Sequence, residues 1–155
     1  MATESDAGIY AHESAYLDRY VQVGVASGRV LSVGFPDAPD DDDADDLPLL
    51  DRIDAYLQGT REEFSGVDVA MTMPTDQRDV LEAVRAVPYG NQVSVAELTS
   101  ATAGLDGDAD DARQLVRTAL AGNPTPLVIP DHRVRDGPSA APPAVEQRLR
   151  SVEGL

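Results

Sequence analysis

The sequence predicts an α+β fold, with a strand-bearing first half followed by a helical second half. Three observations carry this prediction. Residues 20–25 and 30–35 are short β-rich runs joined by Ala-Ser-Gly-Arg, the pattern of a hairpin. Residues 48–58 place Leu49, Leu50, Ile53 and Leu57 at helical spacing, and Gly59 stops the pattern. From residue 75 onward, apolar residues recur at helical spacing in three successive segments.

In chain order, the hairpin is expected to be the first regular structure. Residues 36–46, with acids packed at Asp40 to Asp43, carry no apolar anchor and read as a solvated loop. No spacing there resembles a calcium loop, and no metal site is expected. The helix over 48–58 leads to Phe64 and residues 67–71, which read as another strand, and residues 71–75 read as a linker. His12, in a polar segment without partner spacing, reads as a solvated surface residue.

The second half is more regular. Thr75 is expected to cap a helix that buries Val80, Leu81, Val84 and Val87 and ends at Pro88-Tyr-Gly90. Ser94 caps a second helix over 95–102, with Glu97 at the third helical position, a capping box. After the Gly/Asp-rich loop 104–110, a third helix buries Ala112, Leu115, Val116, Ala119 and Leu120. It turns Arg113, Gln114, Arg117 and Thr118 outward. Three short helices joined by a Gly-containing turn suggest a helix-turn-helix-like unit. Residues 127–129 read as strand-like before a final helix.

Composition excludes several chemistries. The 155 residues contain no Cys and two His, so a thiolate nucleophile, a disulfide framework and a thiolate metal cluster are all ruled out. The chain carries 28 acidic and 12 basic residues, a formal charge of -16, and every basic residue is Arg. Such a balance ordinarily opposes binding to a polyanion. In molar salt, however, surface charge is screened within about 3 Å, and an acid-rich, Lys-free surface is the composition expected of a halophile's cytoplasm. The charge is also uneven: residues 1–74 hold 16 acids and four Arg, residues 75–155 hold 12 acids and eight Arg. The second half is therefore the less repelled by phosphate. No apolar run reaches membrane-spanning length and the N-terminus lacks a signal-peptide pattern, so a cytoplasmic protein is expected.

One stretch carries a specific motif. Residues 122–134, Gly-Asn-Pro-Thr-Pro-Leu-Val-Ile-Pro-Asp-His-Arg-Val, resemble the active-site signature of the methylated-DNA–protein-cysteine methyltransferases, in which Asn-Pro and an apolar run precede Pro-Cys-His-Arg-Val. Residues 87–94, Val-Pro-Tyr-Gly-Asn-Gln-Val-Ser, are similar to that family's Pro-Tyr-Gly turn. Residues 145–154 resemble its final helix ending in Glu-Gly, and residues 49–64 the close of its N-terminal domain. The resemblance implies a small antiparallel-sheet N-terminal domain at 1–72. A helical, helix-turn-helix, winged-helix-like DNA-binding domain would follow at 73–155.

In the family the Cys is a thiolate nucleophile activated through water by the following His, which a Glu on the final helix orients. By resemblance the acceptor position here is Asp131, with His132 beside it, Glu153 as the orienting acid and Asn123 holding the turn. A carboxylate is a far poorer nucleophile toward a methyl carbon than a thiolate, so methyl transfer is not expected. The surviving Asn–His–Glu network is open to two readings, a relic scaffold or a working base pocket. The expected DNA-contacting residues are Ser94, Arg113, Gln114, Arg117, Thr118 and Arg133. Gln114 stands where the family inserts an Arg into the base stack, Val95 stands where it has a Tyr, and residues 139–143 replace its longer closing loop.

The function implied is recognition of O6-alkylguanine in double-stranded DNA without transfer, as in the alkyltransferase-like proteins, by a monomer that passes the lesion to a repair partner and needs no cofactor. The alternative is a degenerate repair domain kept as a structural or interaction module without DNA affinity.

Overall fold

The computed structural model describes residues 7–38, 47–64, 66–102 and 104–155. The acidic run Asp40 to Asp43, read above as part of a solvated loop, lies outside the described residues. Three strands form one antiparallel sheet in the order β1 (Ala7–Ser14), β2 (Arg19–Ala26), β3 (Arg29–Gly34). Five helices follow: α1 (Pro48–Leu57), α2 (Thr75–Arg85), α3 (Val95–Ala101), α4 (Asp110–Ala121) and α5 (Pro143–Glu153). A 3-10 turn, Asp131–Arg133, precedes α5. The α+β fold expected from the sequence is the fold observed.

The hairpin is β2 and β3, paired from Ala26↔Arg29 to Gln22↔Gly34 with a register shift at Gly24/Val25. It is not the first regular structure. β1 precedes it and pairs along its full length with β2, from Ala7↔Ala26 to Ser14↔Arg19. Its sequence, Ala-Gly-Ile-Tyr-Ala-His-Glu-Ser, has little intrinsic strand preference. The ladder offered by β2 overrides that preference, as tertiary context does for strands.

Two other strand expectations also fail. Residues 67–71 contribute one parallel bridge, Val69 to Val30, because Phe64 and Gly66 both take left-handed φ values, 54° and 81°, and turn the chain. Residues 127–129 form a turn with a single bridge, Pro126 to Ile129. Pro124, Pro126 and Pro130 each lack the N–H a ladder needs, and Leu127 sits at φ 83°.

Two apolar cores organise the molecule. The first joins the inner face of the sheet (Val21, Val23, Val25, Val30, Val33) to α1 through Leu50, Ile53 and Tyr56, and takes in Leu127, Val128, Val145 and Leu149 from the far end of the sequence. The second is made by α2, α3 and α4 through Val80, Leu81, Val84, Leu98, Val116 and Leu120, with Ile129 and Val134. The active-site-like turn therefore contributes to both cores: Leu127 and Val128 to one, Ile129 and Val134 to the other. That double anchoring fixes the residues between them, 130–133.

Capping sets the ends of the helices. At α3 the capping box forms as expected: Ser94 Oγ accepts from the Glu97 amide at 3.0 Å, and Glu97 Oε1 accepts from the Ser94 amide at 2.9 Å. At α2 the expectation is corrected. Thr75 is the first helical residue, Pro74 holds the cap position and no side chain caps the helix. Proline's fixed φ supports helix entry there without a capping hydroxyl. Gly154 closes α5 in the left-handed conformation, φ 78°, which a glycine adopts without steric penalty.

Candidate functional site

Two buried polar clusters meet at the 3-10 turn, one around Asp131 and one around Glu153. Asp131 has no exposed surface. Its Oδ1 accepts from the Ser139 hydroxyl at 2.6 Å; its Oδ2 accepts from the Ala140 amide at 2.9 Å and from Asn123 Nδ2 at 3.0 Å. Asn123 also donates to the Ile129 carbonyl at 3.0 Å and accepts from the Thr125 amide, so it fastens the turn as the motif implies. Burial pushes the Asp131 carboxyl above its ordinary value, and the bonds from Ser139, Ala140 and Asn123 offset only part of that.

Glu153 gathers the charged partners. Its Oε1 accepts from Arg133 Nε at 2.8 Å and from the Gly90 amide at 3.0 Å; its Oε2 accepts from Arg133 Nη2 at 3.1 Å. Oε2 also lies 2.6 Å from His132 Nε2 and accepts from the Tyr56 hydroxyl. Burial would raise this carboxyl, but the bonds from His132 and Arg133 outweigh it and hold the group at about 2. A carboxylate that acidic has no proton to give, so Nε2 of His132 is the donor. Tyr56, buried beside this anion, is pushed well above the ordinary phenol value, first by burial and then by Glu153 itself.

The site residues of the motif therefore fall into two groups. His132 and Glu153 meet as the resemblance implies. Asn123 does not join them, since its side chain serves Asp131 and the turn. The single Asn–His–Glu network is corrected to two adjoining ones. Tyr56 was missed from the sequence, where it reads as one more apolar position of α1. Its place one turn after Ile53 on the buried face gave no sign that a polar atom lay at its tip.

The expected DNA-contacting residues separate as well. Gln114, Arg117 and Thr118 are exposed on α4. Arg113 is half-buried, and its Nε donates to the Gly107 carbonyl at 2.8 Å, which ties it to the preceding loop. Ala112 and Leu115, expected in the buried stripe, are only partly covered; Val116, Ala119 and Leu120 form it. Ser94 is half-buried and engaged in its cap. Arg133 is buried, with Nη1 donating to the Val87 carbonyl at 2.7 Å and the other nitrogens to Glu153. It is an internal counter-ion, not a surface cation. His12 lies at the surface with its side chain 37% exposed, but it has a partner the sequence did not suggest: its Nε2 lies 3.0 Å from Asp54 Oδ2, linking β1 to α1.

Residues 75–142 match the family model described as 6-O-methylguanine DNA methyltransferase, DNA binding domain. Residues 75–142 thus carry the DNA-binding domain of that family. A methylated-DNA–protein-cysteine methyltransferase of Methanothermobacter thermautotrophicus is 32% identical over 113 residues, covering 69% of this chain and 60% of the relative. A relative of the same description from Methanopyrus kandleri is 29% identical over 82 residues, covering 53% of this chain and 57% of its own length. The chain thus spans little more than half the length of the curated relatives it matches. The crystal structure of the Mycobacterium tuberculosis O6-methylguanine methyltransferase superposes with a TM-score of 0.73 at 20% identity, covering 96% of this chain and 91% of that one. The same protein in complex with DNA gives 0.65, over 81% and 77%. At that identity the likeness is one of fold. The chain itself has no Cys at any position, and by the resemblance above Asp131 stands at the motif's acceptor position.

Among the described residues, no group of three or more His, Cys, Asp or Glu could hold a metal ion, and no helix is long and apolar enough to cross a membrane.

Proposed function

We propose that this protein recognises alkylated guanine in double-stranded DNA through residues 73–155 and does not accept the alkyl group. One observation carries the reading. The acceptor position of a DNA-binding family holds a buried carboxylate whose oxygens are already bound by three donors. A carboxylate so engaged has its lone pairs committed, and its ester would in any case be labile. The matched DNA-binding model over 75–142 and the DNA complex of the M. tuberculosis relative support DNA as the partner. The face we assign to DNA is that of α4, read as the recognition helix of a helix-turn-helix unit, with Gln114, Arg117 and Thr118 exposed along it. A lesion bound and left unrepaired calls for a second repair protein to act on it, and the protein works here as a cofactor-free monomer.

Titration by fluorescence anisotropy against duplexes with and without O6-methylguanine, at low and high salt, tests this reading. Tighter binding to the lesion duplex, with no methyl group on the protein by mass spectrometry, is the expected result. Gln114→Ala combined with Arg117→Ala should abolish binding with the unfolding midpoint nearly unchanged, since both side chains are exposed. The salt dependence should be shallow, because few Arg contacts release few counterions.

A second reading, an interaction module without DNA affinity, is favoured by Asp106, Asp108, Asp110 and Asp111, which crowd the start of α4 where phosphate would approach. These acids suit the helix dipole and repel the polyanion. Absence of binding at every salt concentration selects this second reading.

A further inference from the structure

The segment between the 3-10 turn and α5 is fastened at both ends over residue 131. At one end, Asp136 Oδ1 accepts from the Val95 amide at 2.6 Å, at the N-terminus of α3. Next, Gly137 fits so closely into an apolar notch that a β-carbon there would lie 2.9 Å from Leu120 Cδ1 and 3.1 Å from both Val134 Cγ1 and Val95 Cγ2. At the other end, the Ser139 hydroxyl and Ala140 amide bond to Asp131, and Ser139 Oγ accepts in turn from the Ala141 amide at 3.1 Å. Asp131 is left with no exposed surface.

Resting on the DNA-binding reading above, we propose that Asp131 is a latch. Its carboxylate holds residues 136–140 closed over the acceptor position, and the protein therefore binds duplex DNA with the target base still in the stack. The argument is one of access. The O6 of a guanine inside a duplex reaches a buried protein group only if the nucleotide swings out into a pocket. Here Asp131 is fully covered and bonded by the Ser139 hydroxyl and the Ala140 amide, and Gly137, two residues before Ser139, is seated in the notch between Leu120, Val134 and Val95. Admitting a base would require lifting the segment from α3, emptying that notch and stripping a buried carboxylate of two donors. The surface left to recognise a lesion is the outer face of the duplex, read through the altered stacking, groove shape and deformability that an alkylated base pair imposes.

Two measurements on the full chain test the proposal. The first needs no DNA. Amide hydrogen exchange in Asp131→Ala should speed at Gly137, Ala140 and Ala141 by at least about tenfold relative to the parent, while amides of β2 and α2 keep their protection. Ser139→Ala, which removes one donor and keeps the carboxylate, should show the same local change to a smaller degree and serves where Asp131→Ala does not fold. Unchanged exchange over 137–141 in a folded variant overturns the latch.

The second measurement places 2-aminopurine, whose emission is quenched by stacking, directly beside an O6-methylguanine in a duplex, where extrusion of the lesion would unstack it. Anisotropy and emission are then followed in one titration. Saturable binding with the emission still quenched is expected; binding accompanied by a several-fold rise in emission shows an extruded base and overturns the proposal. Absence of binding by anisotropy instead removes the DNA-binding reading and the stacked-base claim with it, leaving the exchange data to decide the latch alone.

Discussion

Asp131 and Glu153 are both buried carboxylates on either side of one turn, and their protonation equilibria move in opposite directions. Asp131 is pushed above its ordinary value; Glu153 is held at about 2. Burial acts the same way on both. The difference lies in the partners: Asp131 meets a hydroxyl, an amide N–H and a carboxamide, all neutral, whereas Glu153 meets the Arg133 guanidinium, the His132 ring and the Gly90 amide. At Asp131 the bonds from neutral donors fall short of offsetting the lost water, whereas at Glu153 the stronger bonds from His132 and Arg133 more than offset it. The same contrast separates roles. Glu153 ties α5 to the Pro88-Tyr-Gly90 turn, to α1 through Tyr56 and to the 3-10 turn, and so acts as a strut between distant elements. Asp131 holds only its own neighbourhood, Asn123 eight residues before it and Ser139 and Ala140 shortly after it.

The strut should therefore be the costlier to lose. Glu153→Ala strands the buried Arg133 guanidinium without its partner, a change worth about 3–5 kcal/mol. Urea unfolding measures it, and a loss no larger than that of Asp131→Asn would erase the distinction drawn between the two sites. Tyr56→Phe is the next test. It removes the hydroxyl's bond to Glu153, leaves the ring packing against Phe64 and Tyr89 in place, and should cost about 1–3 kcal/mol. A neutral result would show that the hydroxyl is incidental to the strut.

Asp131→Asn should cost less, about 1 kcal/mol by the same measurement. The side-chain shape is kept, one oxygen can still accept, and none of the three donors bonded to it carries a charge that would be left behind. If Asp131→Asn proves as damaging as Glu153→Ala, a charge near Asp131 is doing what the neutral donors are credited with here.

The contrast also explains how much could be read from the sequence. The helices at 48–57, 75–85, 95–101 and 110–121 were legible because apolar spacing, and at 95–101 the capping box, are local signals, whereas the final helix and the nearness of Asp131, His132 and Asn123 were read from the motif resemblance. The sequence could not show which atoms pair. Asn123 lies beside His132 in the motif yet serves Asp131, while Tyr56, far away in sequence, reaches Glu153. Arg113 and Arg117 look equivalent on a helical wheel, but the Gly107 carbonyl captures the first and leaves the second exposed. β1 was missed for a related reason: its strand state is conferred by β2 and is not encoded in its own residues.

The pH dependence of stability gives the finest separation of the two sites. Glu153 titrates at about 2 when folded against an ordinary 4.5, so its contribution is complete above 4.5 and is lost as pH falls from there toward 2. Asp131 has the opposite sign. Its folded value lies above the ordinary 3.8, so the folded state takes up a proton before the unfolded state does, and acidification through that interval stabilises the protein. Relative to the parent, Glu153→Gln should therefore be most destabilised near neutrality, with the difference shrinking below 4.5. Asp131→Asn should behave in reverse: its deficit should grow as pH falls from neutrality toward 3.8, because it lacks the proton uptake that favours the folded parent. Urea midpoints for the three proteins, taken at steps from neutral pH to below 3.8, read both trends at once. Parallel curves for the two variants would mean that the buried carboxylates are not opposed, and the division between a charged strut and a neutral latch would have to be withdrawn.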